Sequence, residues 1–291
     1  MKIMNNENWN IVGKYCLITG ATSGIGKETA LSLARLGASV IFTSRSKEKG
    51  EEIKREIIQK TKNENIEYLV CDLSSFNSIR ECAEEFKKHN SRLDILINNA
   101  GVLPQEREVS KDGIELNLAV NFLAPFLFSN LLLPLLKQST PARIINVSST
   151  MHAEGRIDFE DLESKKSFDK YKAYSQSKLA LILFTKKLAK SLEGGGVTVN
   201  TLHPGVVGTE MTMQNVRKMN PIAAFFFKRT FIAPEKGAET SVYLASSPLV
   251  ENITGEYFIN KKIEKASRVT EDQALQEKVW EIAEKYTEII S

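Results

Sequence analysis

Six short runs rich in β-branched and apolar residues recur along this chain, several of them separated by segments of helical length. The runs are Tyr15–Thr19, Val40–Thr43, Ile66–Val70, Ile95–Asn98, Arg143–Val147 and Thr198–His203. They are apolar nearly throughout rather than alternating, the pattern of strands covered on both faces. Between them, Lys27–Leu36, Lys47–Lys60 and Ser75–Lys88 read as helices. A strand–helix repeat of this kind closes through right-handed crossovers into a doubly wound parallel sheet flanked by helices, an α/β fold. No internal repeat or low-complexity linker interrupts it, so residues 1–291 are expected to form a single domain.

Three segments stand outside the alternation. From Leu116 to Leu136 there is no charged residue, about the length a bilayer requires. It also holds Asn117, Asn121, Ser129, Asn130, Pro125 and Pro134, which hydrocarbon tolerates poorly. A helix buried inside the domain, or at a subunit contact, is therefore the expected reading. Residues Met211–Phe231 carry Phe225-Phe226-Phe227 beside Lys228-Arg229 and are expected to form a small lid over the substrate. Dipping of the same residues into a membrane interface is the rival reading. Glu271–Ile290 places Leu275, Val279, Ile282 and Tyr286 near helical spacing, as an amphipathic helix on the body or on a partner.

Composition excludes several function classes. Lys+Arg 39 against Asp+Glu 36 gives a formal charge of +3, with no basic block for nucleic acid. Cys16, Cys71 and Cys82 form no C-x-x-C pair, and His89, His152 and His203 lack ligand-like spacing, so no metal site is expected. The first residues, Met1–Glu7, lack the apolar core of a secretory signal. These features together predict a cytoplasmic location.

The chemistry concentrates at the exits of the runs. Gly20-Ala21-Thr22-Ser23-Gly24-Ile25-Gly26 follows the first strand and leads into a helix. Gly20 permits a tight turn, and Gly24 and Gly26 allow backbone to approach a pyrophosphate at the helix N-terminus. A glycine-rich loop chosen only for turning is the plain alternative. The second run ends at Arg45, where an acidic residue would pair with the ribose 2′-OH of NAD. Arginine instead suits a 2′-phosphate, which favours NADP(H), unless Arg45 is only a solvated surface residue.

Tyr174 and Lys178 are four apart, so a helix stacks them on one face. An ammonium nearby should lower the phenol pKa and suit it to acid–base catalysis, although surface pairs share this spacing. Ser148-Ser149 end the fifth run, where a hydroxyl can meet developing negative charge on a substrate oxygen, or merely cap a turn. Asn121 is an amide inside the uncharged helix, either functional or a satisfied structural group.

With these residues assembled, the chain resembles the short-chain dehydrogenase/reductase family across about Val12–Ala245. The resemblance implies a Rossmann-type fold and an oxidoreductase that interconverts a carbonyl and its alcohol. It implies Asn121, Ser149, Tyr174 and Lys178 as the catalytic tetrad. The dinucleotide is implied to lie on Gly20, Ser23, Gly24, Ile25 and Gly26, with Arg45 selecting NADP(H) over NAD(H), Asp72-Leu73 beside the adenine and Asn99-Ala100-Gly101 near the adenosine ribose. Tyr174 and Lys178 also touch the cofactor in this pattern, and Pro204, Gly205, Val207 and Thr209 border the nicotinamide.

Two departures mark this chain. Ala124 stands where the family usually has glycine, and Ser149 and Tyr174 are 25 positions apart, longer than the commoner spacing. The additional residues include Ile157–Leu162, and the insertion is similar to the retinol dehydrogenase/protochlorophyllide reductase-like branch. The implied partner is a small apolar carbonyl or alcohol substrate, and a homodimer or homotetramer through the family's usual faces on the Leu116–Leu136 and Tyr174 helices. A non-catalytic NADP-binding sensor or scaffold is the alternative from another class.

Overall fold

The computed structural model describes residues 9–209, 212, 213, 216 and 231–289. Strands β1 (Tyr15–Ile18), β2 (Ser39–Ser44), β3 (Ile66–Val70), β4 (Ile95–Asn98), β5 (Ala142–Val147) and β6 (Val197–His203) lie where the apolar runs predict. Two short strands, β7 (Tyr257–Ile259) and β8 (Lys262–Glu264), extend the sheet beyond them. The order is β3-β2-β1-β4-β5-β6-β7-β8, parallel throughout except for the β7–β8 pair. The strand order reverses next to β1, and the carboxyl ends of β1 and β4 flank that switch point, where open sheets of this kind place ligands.

Successive residues of the central strands serve opposite layers. Leu17, Leu96, Ile144 and Val199 pack beneath helices α3 (Phe76–His89), α4 (Leu116–Gln138) and α5 (Lys170–Ser191). Ile18, Ile95, Ile97, Ile145 and Val147 pack beneath α1 (Gly24–Arg35), α2 (Lys47–Thr61) and α6 (Pro234–Ser246). Both faces are apolar, which explains the unbroken runs. Edge strand β3 differs: Ile66 is buried while Glu67 and Val70 are exposed, so coverage fades at the rim.

The uncharged segment forms α4, and most of it is buried within the domain. Its regular α turns are interrupted by a π segment at Ala119–Leu123. Pro125 follows at once and has no N–H, so it cannot donate to the Asn121 carbonyl one turn back. Among helices, π insertions often accompany functional side chains because they re-aim a residue without ending the helix.

The amphipathic C-terminal segment is α7 (Gln273–Thr287), and it lies on the body. Trp280 meets the rings of Phe126 on α4 and Phe184 on α5, with centroids 5.0 and 5.8 Å apart. Val279 and Ala283 are buried beside it. The expected lid at Met211–Phe231 falls almost entirely outside the described residues.

Candidate functional site

A cleft of about 370 Å³ opens at the carboxyl ends of β1 to β4. Its wall includes Gly20, Ser23, Gly24, Ile25 and Gly26 of the first turn, together with Arg45, Asp72, Leu73, Asn99, Ala100, Gly101 and Thr209. Thr22, Val102, Leu116 and Val120 also line it. Pro204, Gly205 and Val207 do not. Val207 is buried and packs toward α6, where a methyl on Gly237 would lie 2.6 Å from its side chain.

The three turn glycines have separate reasons. Gly20 and Gly24 have φ of +67° and +54°, a conformation that side chains rarely adopt. Gly26 is already inside α1, and a methyl there would lie 2.4 Å from both the Gly20 carbonyl oxygen and Asn99 Nδ2. Gly26 thus permits close packing of helix on turn rather than ligand approach. Asn99 reinforces the same joint: its Nδ2 donates to the carbonyls of Thr19 (2.8 Å) and Gly20 (3.2 Å). Ser23 caps α1 by position, yet its side chain makes no capping bond. The first-turn N–H groups therefore face the cleft without a side-chain acceptor, as an anion site requires.

Arg45 is exposed at the mouth of the cleft, with no ion pair among the described residues. Asp72 is the opposite case. Burial pushes its carboxyl up, but Lys111 at 2.8 Å and Ser74 outweigh that and hold it below the ordinary carboxylate range.

Cleft and tetrad meet at Gly101. A methyl placed there would lie 3.4 Å from both Asn121 Oδ1 and Lys178 Nζ. Asn121 is fully buried in the π segment, and its amide is spent on protein partners. Oδ1 accepts from the Val102 N–H at 2.8 Å, while Nδ2 donates to the Val102 carbonyl and to Ser177 Oγ, each at 3.0 Å. The side chain thus fastens the cleft loop to α4 and α5.

The two serines face different partners. Ser148 Oγ donates to the Lys178 carbonyl, deep in the fold. Ser149 Oγ accepts from the Met151 N–H at 3.2 Å, and the Ser149 side chain is close enough to Tyr174 to pull its phenol pKa down. Tyr174 is half-buried. Lys178 Nζ lies 5.6 Å from the Tyr174 ring centroid and donates to the Val147 carbonyl at 2.9 Å.

The electrostatics differ from the expected lowering of the phenol. Burial pushes Tyr174 up to about 12, only partly opposed by the nearby Ser149. Burial likewise pushes the Lys178 ammonium down to about 8. Desolvation disfavours both charged forms, and at this separation the lysine does not reverse that.

Several contributors were not singled out in the sequence. Glu115 is buried and accepts from the Asn117 and Leu118 N–H groups and from Asn117 Nδ2, capping α4 just before Asn121. Its signal was available as the acidic residue that ends the uncharged stretch. Gln176 binds both ends of the insertion, accepting from the Asp158 N–H and donating to the Leu162 carbonyl, each at 2.8 Å. The extra residues are thereby fastened to the helix that carries Tyr174.

The family model for short chain dehydrogenase matches residues 14–220. The chain belongs to this family. Retinol dehydrogenase 13 of Mus musculus is 43% identical over 275 residues, covering 93% of this chain and 82% of that one. Polyprenol dehydrogenase of Homo sapiens is 39% identical over 273 residues, covering 92% and 83%. Among solved structures, the Pseudomonas aeruginosa RhlG/NADP active-site complex superposes with a TM-score of 0.69 at 28% identity, covering 85% of this chain and 94% of that one. This short-chain dehydrogenase is thus an oxidoreductase of the retinol dehydrogenase-like branch.

The cytoplasmic location is corrected by the same relatives. Their names refer to retinol and polyprenol, alcohols that partition into lipid, whereas the span-length helix α4 is mostly buried in the domain and does not bear on location. Charge balance and cysteine usage, on which the expectation stood, do not report on lipid association.

Proposed function

We propose that this chain is an NADP(H)-dependent oxidoreductase that interconverts an apolar aldehyde or ketone and its alcohol. The observation that carries the reading is the meeting of cleft and tetrad at Gly101, where Asn121 Oδ1 and Lys178 Nζ both lie. Arg45, exposed at the cleft mouth with no ion pair among the described residues, supports NADP(H), and the RhlG complex holds that cofactor. Relatives named for retinol and polyprenol support an apolar substrate.

The turn residues fit a dinucleotide: Gly20 to Gly26 would hold the pyrophosphate, Arg45 the 2′-phosphate and Lys178 the nicotinamide ribose. The cofactor supplies the hydride. Ser149 accepts the Met151 N–H, which leaves its own proton free to bond the substrate oxygen. Tyr174 hands its proton to that oxygen as it becomes an alkoxide. A phenol held up to about 12 stays protonated at neutral pH, as a proton donor must. Lys178, near 8, is largely charged there and stabilises the phenolate left behind. The Asn121 carbonyl, to which Pro125 cannot donate, would hold a water that returns a proton to Lys178.

A non-catalytic sensor would need the glycine turn and Arg45 but not a buried Ser149–Tyr174–Lys178 arrangement. The deciding experiment follows NADPH oxidation at 340 nm with retinal and other apolar aldehydes and ketones, with NADH in parallel. Turnover that prefers NADPH is the expected result. Tight NADPH binding without turnover across the panel would favour the sensor.

A further inference from the structure

The peptide bond between Ser149 and Thr150 is gripped at both of its polar atoms by imidazole rings. The Ser149 carbonyl accepts from His152 Nδ1 at 2.6 Å and from the His152 main-chain N–H at 3.1 Å. The Thr150 N–H donates to His203 Nδ1 at 3.3 Å. These partners fix both tautomers. A carbonyl only accepts, so His152 carries its hydrogen on Nδ1. Its Nε2 accepts from the Ser267 N–H at 3.0 Å and must offer a lone pair. His203 Nδ1 must do the same for Thr150, which places its hydrogen on Nε2.

The rings are buried, and His152 stands edge-on to Tyr257 with centroids 4.9 Å apart. The bonds reach across the fold: His203 ends β6, and Ser267 follows β8. They converge on the residue where β5 gives way to the short turn Thr150–Glu154. The two rings thereby fix the main-chain path from which the Ser149 side chain projects.

We propose that His152 and His203 are positioning residues for Ser149, a paired imidazole clamp that sets its hydroxyl against Tyr174. The inference rests on the reading in which Ser149 holds the substrate oxygen. Neither ring touches substrate. Each acts through the main chain of the serine, whose placement controls the geometry of proton transfer.

Two substitutions separate the two bonds of His152. His152→Asn keeps an amide donor near the position of Nδ1 and so keeps the bond to Ser149. His152→Gln reaches toward Ser267 with its amide oxygen and leaves the Ser149 carbonyl without that donor. With retinal as the probe, kcat of the Gln variant should fall roughly tenfold to a hundredfold, with KM for NADPH unchanged, while the Asn variant stays within about threefold of the parent. Equal losses in the two variants, or a loss confined to KM for NADPH, would overturn the clamp. Nitrogen NMR of the full chain tests it independently of turnover: His152 should appear as the Nδ1–H tautomer and His203 as the Nε2–H tautomer. The opposite tautomer in either ring also overturns it. Full activity in Tyr174→Phe would instead remove the underlying reading of the site, leaving the tautomers to judge the clamp.

Discussion

The turn at Gly20–Gly26 lies in the cleft wall, and the cluster of Asn121, Ser149, Tyr174 and Lys178 meets that cleft at Gly101, but the two are built by different means. The turn comes from neighbouring residues, and backbone approach holds it: Gly26 admits the Gly20 carbonyl and Asn99 where any side chain would collide. The cluster draws on α4, the exit of β5 and α5, and side-chain bonds hold it. Asn121 ties the loop at Val102 to Ser177, and two histidines grip the Ser149 peptide. The turn depends on the absence of atoms, the cluster on their exact partners. The two regions should therefore fail in different ways.

The largest expected effect is on the cluster side. Tyr174→Phe should lower turnover by about 10²–10⁴-fold, the usual worth of a positioned acid, with NADPH affinity retained. Near-normal turnover would break the comparison, because the cluster would then hold no proton donor.

Acid should separate the regions next. Burial, then the neighbouring His152, push His203 from about 6.5 down to about 4, so it folds neutral. Between those values the unfolded chain binds the extra proton, and stability falls as pH drops from about 6.5 toward 4. By the usual conversion this is on the order of 3 kcal/mol for the buried ring. Melting temperature measured across that range should fall more steeply for the parent than for His203→Gln. Parallel curves would remove the buried neutral histidine.

Gly26→Ala probes the turn. A methyl 2.4 Å from two heavy atoms must displace Asn99 or part the helix from the turn, a strain of about 1–3 kcal/mol. Thermal melts should show that loss, and NADPH titration should show weakened binding. An alanine variant that melts and binds like the parent would mean that the joint is looser than its contacts indicate.

Smallest is the effect at the rim. Arg45 is exposed, so Arg45→Ala should leave folding unchanged and cut the preference for NADPH over NADH by roughly tenfold, about 1.4 kcal/mol. An unchanged cofactor ratio would show that Arg45 is only a surface residue.

Most of the sheet was legible because its strands are long enough, and apolar enough on both faces, to mark themselves. β7 and β8 are three residues each, below the length at which a pattern declares itself. Helix α6 was hidden for another reason. Its buried face, packed on α1, is mostly small: Gly237, Ala238, Thr240, Ser241 and Ala245 beside one Leu244, which gives close packing but little apolar contrast.

The same division holds for the site. By itself the sequence determined the parallel α/β sheet, the glycine turn at its first strand exit, and the identity of the serine, tyrosine and lysine gathered near it. These are properties of spacing and local chemistry. Only the tertiary structure decided that Gly26 serves packing and that Asn121 and Glu115 are fastening groups. It alone turned the phenol upward rather than down, and set two histidines far apart in sequence on one peptide bond. Desolvation and hydrogen bonding depend on what the fold brings within a few ångströms, and spacing along the chain does not carry that distance.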